Sequence, residues 1–208
     1  MAKIEAIRKE HRQTNEPVNV GDKAIDNLRF IRETMERSTH FTAVPGYGGI
    51  LMGVTAIVAA YIANAQADFR AWQTTWLIEA GLAFVIGLFA MWQKSKISKT
   101  SMMSAPAKKF ALGFVPPLIC GVVLTFALFR LGTDKDIVTG VWLMLYGAAV
   151  VCGGMFSVRI VSVMGWVFML MGTLAFFAPA MYSDWIMAFS FGILHIVFGL
   201  IIARRYGG

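Results

Sequence analysis

After residue 42 the chain alternates long apolar runs with short polar stretches. Six runs stand out: Ala43 to Ala65, Gln73 to Trp92, Phe110 to Leu131, Ile137 to Phe156, Ile160 to Pro179 and Trp185 to Ala203. Each holds 19 to 23 residues, against the roughly 20 that cross a hydrocarbon core about 30 Å thick. The intervals between them are short, so consecutive runs should pack as antiparallel neighbours. The pattern therefore predicts an all-α, multi-pass membrane protein: six transmembrane helices, arranged as three antiparallel hairpins, over residues 43–203. A segment of 1–42 precedes the bundle and a tail of 204–208 follows it.

The preceding segment has a different periodicity. Between Asp22 and Arg37 the apolar residues Ile25, Leu28, Ile31 and Met35 recur at three- and four-residue steps, which draws one narrow apolar stripe along a helix. On the other face Arg29 and Glu33, Arg32 and Glu36, and Glu33 and Arg37 have the spacing of helical ion pairs. Four basic and four acidic residues cancel over this stretch. A helix that seeks a lipid surface is usually rich in Lys and Arg, so the stripe is expected to meet protein: a cytoplasmic or membrane partner, a second copy of the chain, or the cytoplasmic ends of its own bundle. A shorter helix is expected from Ala2 to about Gln13, joined through a loop containing Pro17 and Gly21.

Charge adds orientation. Of the 19 Lys and Arg residues, 16 fall before the first run, in the second and fourth loops or in the tail, and three fall on the other side: Arg70 and Lys135 in loops and Arg130 at the end of the third run. The positive-inside rule then puts both termini in the cytoplasm. A bacterial inner membrane is the expected location. The polar stretch of some forty residues before the first run argues against a cleavable signal peptide. Composition agrees with a lipid environment: 57% hydrophobic, 15% charged, mean hydropathy +0.64. The net charge of +7 follows from topology and does not point to nucleic acid. Trp72, Trp76, Trp142 and Trp185 near one set of ends, and Trp92 near the other, are expected to form interfacial belts, with Trp166 the exception.

The second, fourth and sixth runs begin alike, at Trp76-Leu77-Ile78, Trp142-Leu143-Met144 and Trp185-Ile186-Met187. Glycines follow in parallel positions in the first two, Gly81 and Gly87 against Gly147 and Gly153, and at Gly192 and Gly199 in the third. With the closing stretch Gly192 to Ile202, these features make the spanning region resemble the small bacterial six-helix proteins grouped with the acid-resistance membrane protein family. The resemblance implies three hairpins and transfers no catalytic residue.

No catalytic constellation or zinc spacing is visible, so a non-enzymatic accessory, sensing or stress-response component is expected, with a small transporter or substrate-binding component as the alternative. Glu79 is the foremost candidate, because a carboxylate inside a span is costly and is a functional-site hypothesis by default. It is expected about two turns inside one end of its helix, where it could bind a cation or relay a proton, or pair with Arg130 or Arg70. Pro116 and Pro117 should kink the third span and free carbonyls beside a pocket. His195 is the one histidine within a run. A role as haem ligand would need a second histidine at matching depth, and His40 and His11 lie before the first run, so no cofactor is expected and a hydrogen bond to another helix is preferred. The run Phe41 to Gly49 is expected to act as a flexible elbow, and Gly49 and Gly53 form a GxxxG helix contact. Cys120 and Cys152 lie at different depths and are expected to be buried free thiols.

Overall fold

The computed structural model describes residues 20–38, 41–98 and 101–206. The helix expected from Ala2, together with His11 and His40, lies outside them. The described residues are mostly helical, with no strand among them. Val20–Ser38 (α1) forms a unit of its own. The second unit holds six helices long and apolar enough to cross a membrane: α2 Gly46–Asn64, α3 Phe69–Ile97, α4 Ala105–Leu131, α5 Lys135–Gly154, α6 Arg159–Phe177 and α7 Ala180–Tyr206. This is a multi-pass helical membrane protein.

Local chemistry sets the helix ends. Asp68 caps α3 by accepting from the Ala71 amide at 3.2 Å, and Ser104 caps α4 through Ala107 at 3.4 Å. Both helices therefore start about one turn before their apolar runs. Gly132, with φ of 65°, closes α4 in the left-handed conformation that glycine tolerates. α4 runs as one helix through Pro116 and Pro117. α7 changes character along its length: a 3-10 turn at Ala180–Tyr182, an α segment at Ser183–Met187, a π-helical segment at Ala188–Leu194, then α-helix over His195–Tyr206.

Close helix contacts are made where glycines remove side chains. A Cβ on Gly46 would stand 2.4 Å from the backbone of Ala203, and one on Gly53 would stand 2.6 Å from the Gly192 carbonyl, so α2 and α7 run antiparallel in near backbone contact. α5 and α6 meet in the same way: Gly147 and Gly165 each face the other's carbonyl at 2.7 Å, and Gly154 meets Ser162. α2 and α5 are thus the central helices. α3 packs chiefly on α2 and α4 on α5, which leaves both largely exposed. The glycine parallel between the second and fourth runs does not carry over to packing. A Cβ on Gly81 would meet nothing within 4 Å, and one on Gly87 only Met52 at 3.6 Å.

The main core cluster joins Trp72, Trp76, Leu143, Phe168, Met187 and Leu194 with small residues of α2. A second cluster, Phe41, Ala43, Ala107 and Phe110, lies where α2 and α4 begin. Its centre is the stretch Phe41–Pro45, and here the expected elbow is corrected. Phe41 N–H donates to the Phe156 carbonyl at 2.6 Å, the Ser157 hydroxyl donates to the Phe41 carbonyl at 2.7 Å, and Lys94 Nζ donates to the Val44 carbonyl at 2.8 Å. Phe41 and Ala43 are buried. The segment is a clasp tying α3 to the α5–α6 loop, and the glycines after it serve close packing. Two further expectations are corrected by exposure. Trp72 and Trp76 are interior residues at 1% and 9% exposure, because their indoles fill the space between helices. Cys120 and Cys152 are free but exposed on the bundle surface.

Candidate functional site

Polar side chains gather at the end of the bundle where α3, α5 and α7 begin. The Trp72 indole N–H donates to Asp184 Oδ1 at 2.6 Å. Lys135 Nζ lies 3.9 Å from the other oxygen of Asp184 and 5.4 Å from the Trp72 ring. Beside them Trp142 donates to the Thr125 hydroxyl at 2.9 Å, and that hydroxyl donates to the Gly121 carbonyl at 2.8 Å.

A column of hydroxyls starts beside Asp184 and continues inward. Ser183, Thr139 and Ser190 are at most 1% exposed, and each has a buried hydroxyl oxygen without a hydrogen-bond partner in the described protein. Trp76 Nε1 and Asp136 Oδ1 are in the same state. A buried polar group left this way costs about 1–3 kcal/mol, which is why native interiors pair such groups or supply them with water. All five belong to α3, α5 and α7, in the half of the bundle where those helices begin.

The column ends at His195. Its Nε2 lies 2.7 Å from the Tyr146 hydroxyl. Lys135 to Tyr146 and Asp184 to His195 are both eleven-residue steps, so α5 and α7 run side by side in the same direction and in register. Ser183 then stands about 18 Å above His195 at 1.5 Å per residue, with Thr139 and Ser190 between. The π-helical segment matters here. Its wider turns, closed by i to i+5 hydrogen bonds, bring residues five apart towards one face, so Ser190 and His195 share the inner side of α7. Rings enclose the pair. Tyr146 lies 4.9 Å from Phe168, 5.1 Å from Phe191 and 6.2 Å from Phe114 between ring centres, and Phe191 stacks on His195 at 5.9 Å. Phe114 also packs against the Phe41 cluster, so apolar side chains close the column on its far side.

Glu79 lies elsewhere. It is 7% exposed between α3 and α2, with Oε1 2.8 Å from the Thr55 hydroxyl oxygen. Thr55 is the tenth of 19 residues in α2, so Glu79 sits near the middle of a span, deeper than expected, because α3 begins at Phe69. Its partner is Thr55 and not Arg70 or Arg130. Arg70 lies over the Phe129 ring at 5.3 Å, and Arg130 is exposed at the end of α4. Pro116 is exposed and Pro117 half-buried on α4. The structure therefore does not bring Glu79, Arg130, Pro116 and Pro117 together. Gly49 and Gly53 both face α7, against Gly199 and Gly192. Ile25, Leu28, Ile31 and Met35 of α1 are each more than half exposed.

No protein-family model matches this chain, and no curated protein or solved structure matches it either. Among the described residues no group of three or more His, Cys, Asp or Glu side chains could hold a metal ion. The Nε2 that a haem iron would take is engaged by Tyr146. The residues that reasoning from sequence missed are Tyr146, Asp184, Thr139, Ser183, Ser190 and Thr55. A spacing signal existed for two of them, since Thr139 and Tyr146 stand seven residues apart in a run that is otherwise apolar; Ser183 and Ser190 have the same spacing, but Ser183 lies before the sixth run.

Proposed function

We propose that this chain is a non-enzymatic membrane component that admits water and a small polar solute from its tryptophan-rich end to the His195–Tyr146 pair, as a small transporter or solute-binding protein does. The observation that carries the reading is the column of buried hydroxyls without protein partners, ending on a hydrogen-bonded His–Tyr pair inside a ring of aromatic side chains. Mostly apolar surroundings with a few convergent polar groups are what small-solute sites are made of. Intramembrane histidines beside water-filled cavities mark substrate and proton paths. The reading includes the topology argued from charge: both termini cytoplasmic in a bacterial inner membrane, three hairpins α2–α3, α4–α5 and α6–α7, and the column opening outwards.

Cysteine accessibility tests it. With Cys120 and Cys152 replaced by alanine, Ser183→Cys and Ser190→Cys are expected to react with a small, water-soluble, membrane-impermeant thiol reagent applied from the outer face. Leu170→Cys, at a lipid-facing position 59% exposed, is expected not to react. A Ser190→Cys protein as inert as Leu170→Cys would overturn the reading.

A second reading rests on α1. Its exposed stripe of Ile25, Leu28 and Ile31 supports docking on a protein partner or a second copy of the chain. Removal of residues 1–37 is expected to abolish that assembly and leave membrane insertion intact; unchanged assembly of the shortened protein would sink it.

A further inference from the structure

A second polar site, separate from the column, carries an inference of its own. The Thr55 hydroxyl oxygen lies 2.8 Å from Glu79 Oε1, 2.9 Å from the Met52 carbonyl and 3.3 Å from the Leu51 carbonyl. A threonine hydroxyl has one hydrogen to donate and lone pairs with which to accept. Bonding back to a carbonyl three or four residues earlier is its usual habit within a helix. The contacts to Met52 and to Glu79 can both be full two-centre hydrogen bonds only if the second hydrogen comes from the carboxyl group. The surroundings point the same way. α2 contains no charged residue from Gly46 to Asn64, and on α3 the nearest basic side chains are Arg70, nine residues before Glu79, and Lys94, fifteen after. A carboxylate at mid-span with a single hydrogen-bond donor and no cation beside it is among the most costly groups a bilayer interior can hold.

We propose that Glu79 is a proton-binding site: a neutral carboxylic acid in the resting protein, whose O–H donates to Thr55 while the Thr55 hydroxyl donates to the helix backbone. The ligand is the proton itself. The site stands apart from His195, and its failure would leave the column reading untouched. Glu79 itself is 7% exposed, but lipid lies close by, since α3 packs chiefly on α2 and its residues Ile78 and Leu82 beside Glu79 are 66% and 45% exposed.

A hydrophobic carbodiimide tests this on the full-length wild-type protein in lipid vesicles at neutral pH, because such reagents dissolve in the bilayer and add to protonated carboxyl groups. The expected result is one adduct per chain, mapped by peptide mass spectrometry to Glu79, absent from Glu79→Gln and unaffected by excess sodium ion. Infrared difference spectra between wild type and Glu79→Gln supply a second reading that requires no reagent. They should contain the carbonyl stretch of a protonated acid, shifted in heavy water and moved by Thr55→Val, with Thr55→Ser restoring its wild-type position. An unlabelled Glu79, an adduct suppressed by sodium ion at constant pH, or carboxylate bands alone in the difference spectrum would each overturn the proposal.

Discussion

Two polar pairs lie well inside the bundle, and they are enclosed differently. His195 and Tyr146 sit on inner helix faces, with Phe168, Phe191 and Phe114 around them and a column of hydroxyls above. Glu79 and Thr55 sit between a central helix and an edge helix, beside side chains that face lipid. Depth in the membrane is therefore a poor guide to what a polar group can do. The histidine is held by shape: its ring fills a volume, stacks and is bonded at one nitrogen. The glutamate is held by one hydrogen bond, between two helices of which one is largely exposed, in a place whose surroundings disfavour charge.

The largest effect is expected where enclosure is complete. His195→Ala removes a stacked ring and leaves the Tyr146 hydroxyl buried without its partner, which should destabilise the protein by about 3–5 kcal/mol, as large-to-small changes in packed cores do. Tyr146→Phe keeps the ring packing and removes one hydroxyl, so about 1–2 kcal/mol is expected. Unfolding of the purified protein in detergent micelles measures both. Equal losses in the two variants would mean that the hydrogen bond, and not the aromatic enclosure, holds the site together.

Glu79→Gln is expected to cost far less, within about 0.5 kcal/mol in the same assay. Glutamine has the shape of a neutral glutamic acid and can also donate to Thr55, so it replaces one uncharged pair with another and opens no cavity. A loss as large as that of His195→Ala would erase the difference between the two sites. It would show that a charge, compensated in some other way, stabilises this one.

These contrasts also show how far the chain could be read without its structure. The six spans were legible because lipid-facing and core-facing positions alike must be apolar, so the runs stand out whatever the packing. The caps at Asp68 and Ser104 were visible as residue types but were outweighed by the apolar boundaries, and that error put Glu79 too near the surface. GxxxG at Gly49 and Gly53 announced a close contact without naming α7, whose glycines are more than 130 residues away. Tryptophans near helix ends read as interfacial belts because an indole suits an interface and a core equally well; only the Asp184 carboxylate, 112 residues from Trp72, decides between them. The hydroxyl column was hidden for a related reason. Serine and threonine are commonplace in membrane helices, and what distinguishes Thr139, Ser183 and Ser190 is a shared inner position created by the register of α5 on α7 and by the π-helical segment.

The smallest expected effect concerns Gly81, two residues beyond Glu79. A methyl group there would meet nothing within 4 Å, whereas at Gly147 it would lie 2.6 Å from Met169 Cγ and 2.7 Å from the Gly165 carbonyl. Gly147→Ala should therefore destabilise by about 1–3 kcal/mol through overpacking. Gly81→Ala should stabilise by about 0.5–1 kcal/mol, since alanine is the better helix former and nothing is displaced. The sign at Gly81 is informative beyond its size. Openness around α3 is what allows a bilayer-soluble reagent to reach Glu79, and a second copy of the chain seated on that face would close it. Measured by unfolding and by sedimentation at two protein concentrations, a stabilised Gly81→Ala with unchanged mass leaves the face to lipid. A destabilised variant that also loses mass would mean that α3 is an interface between copies and that Glu79 is as enclosed as His195.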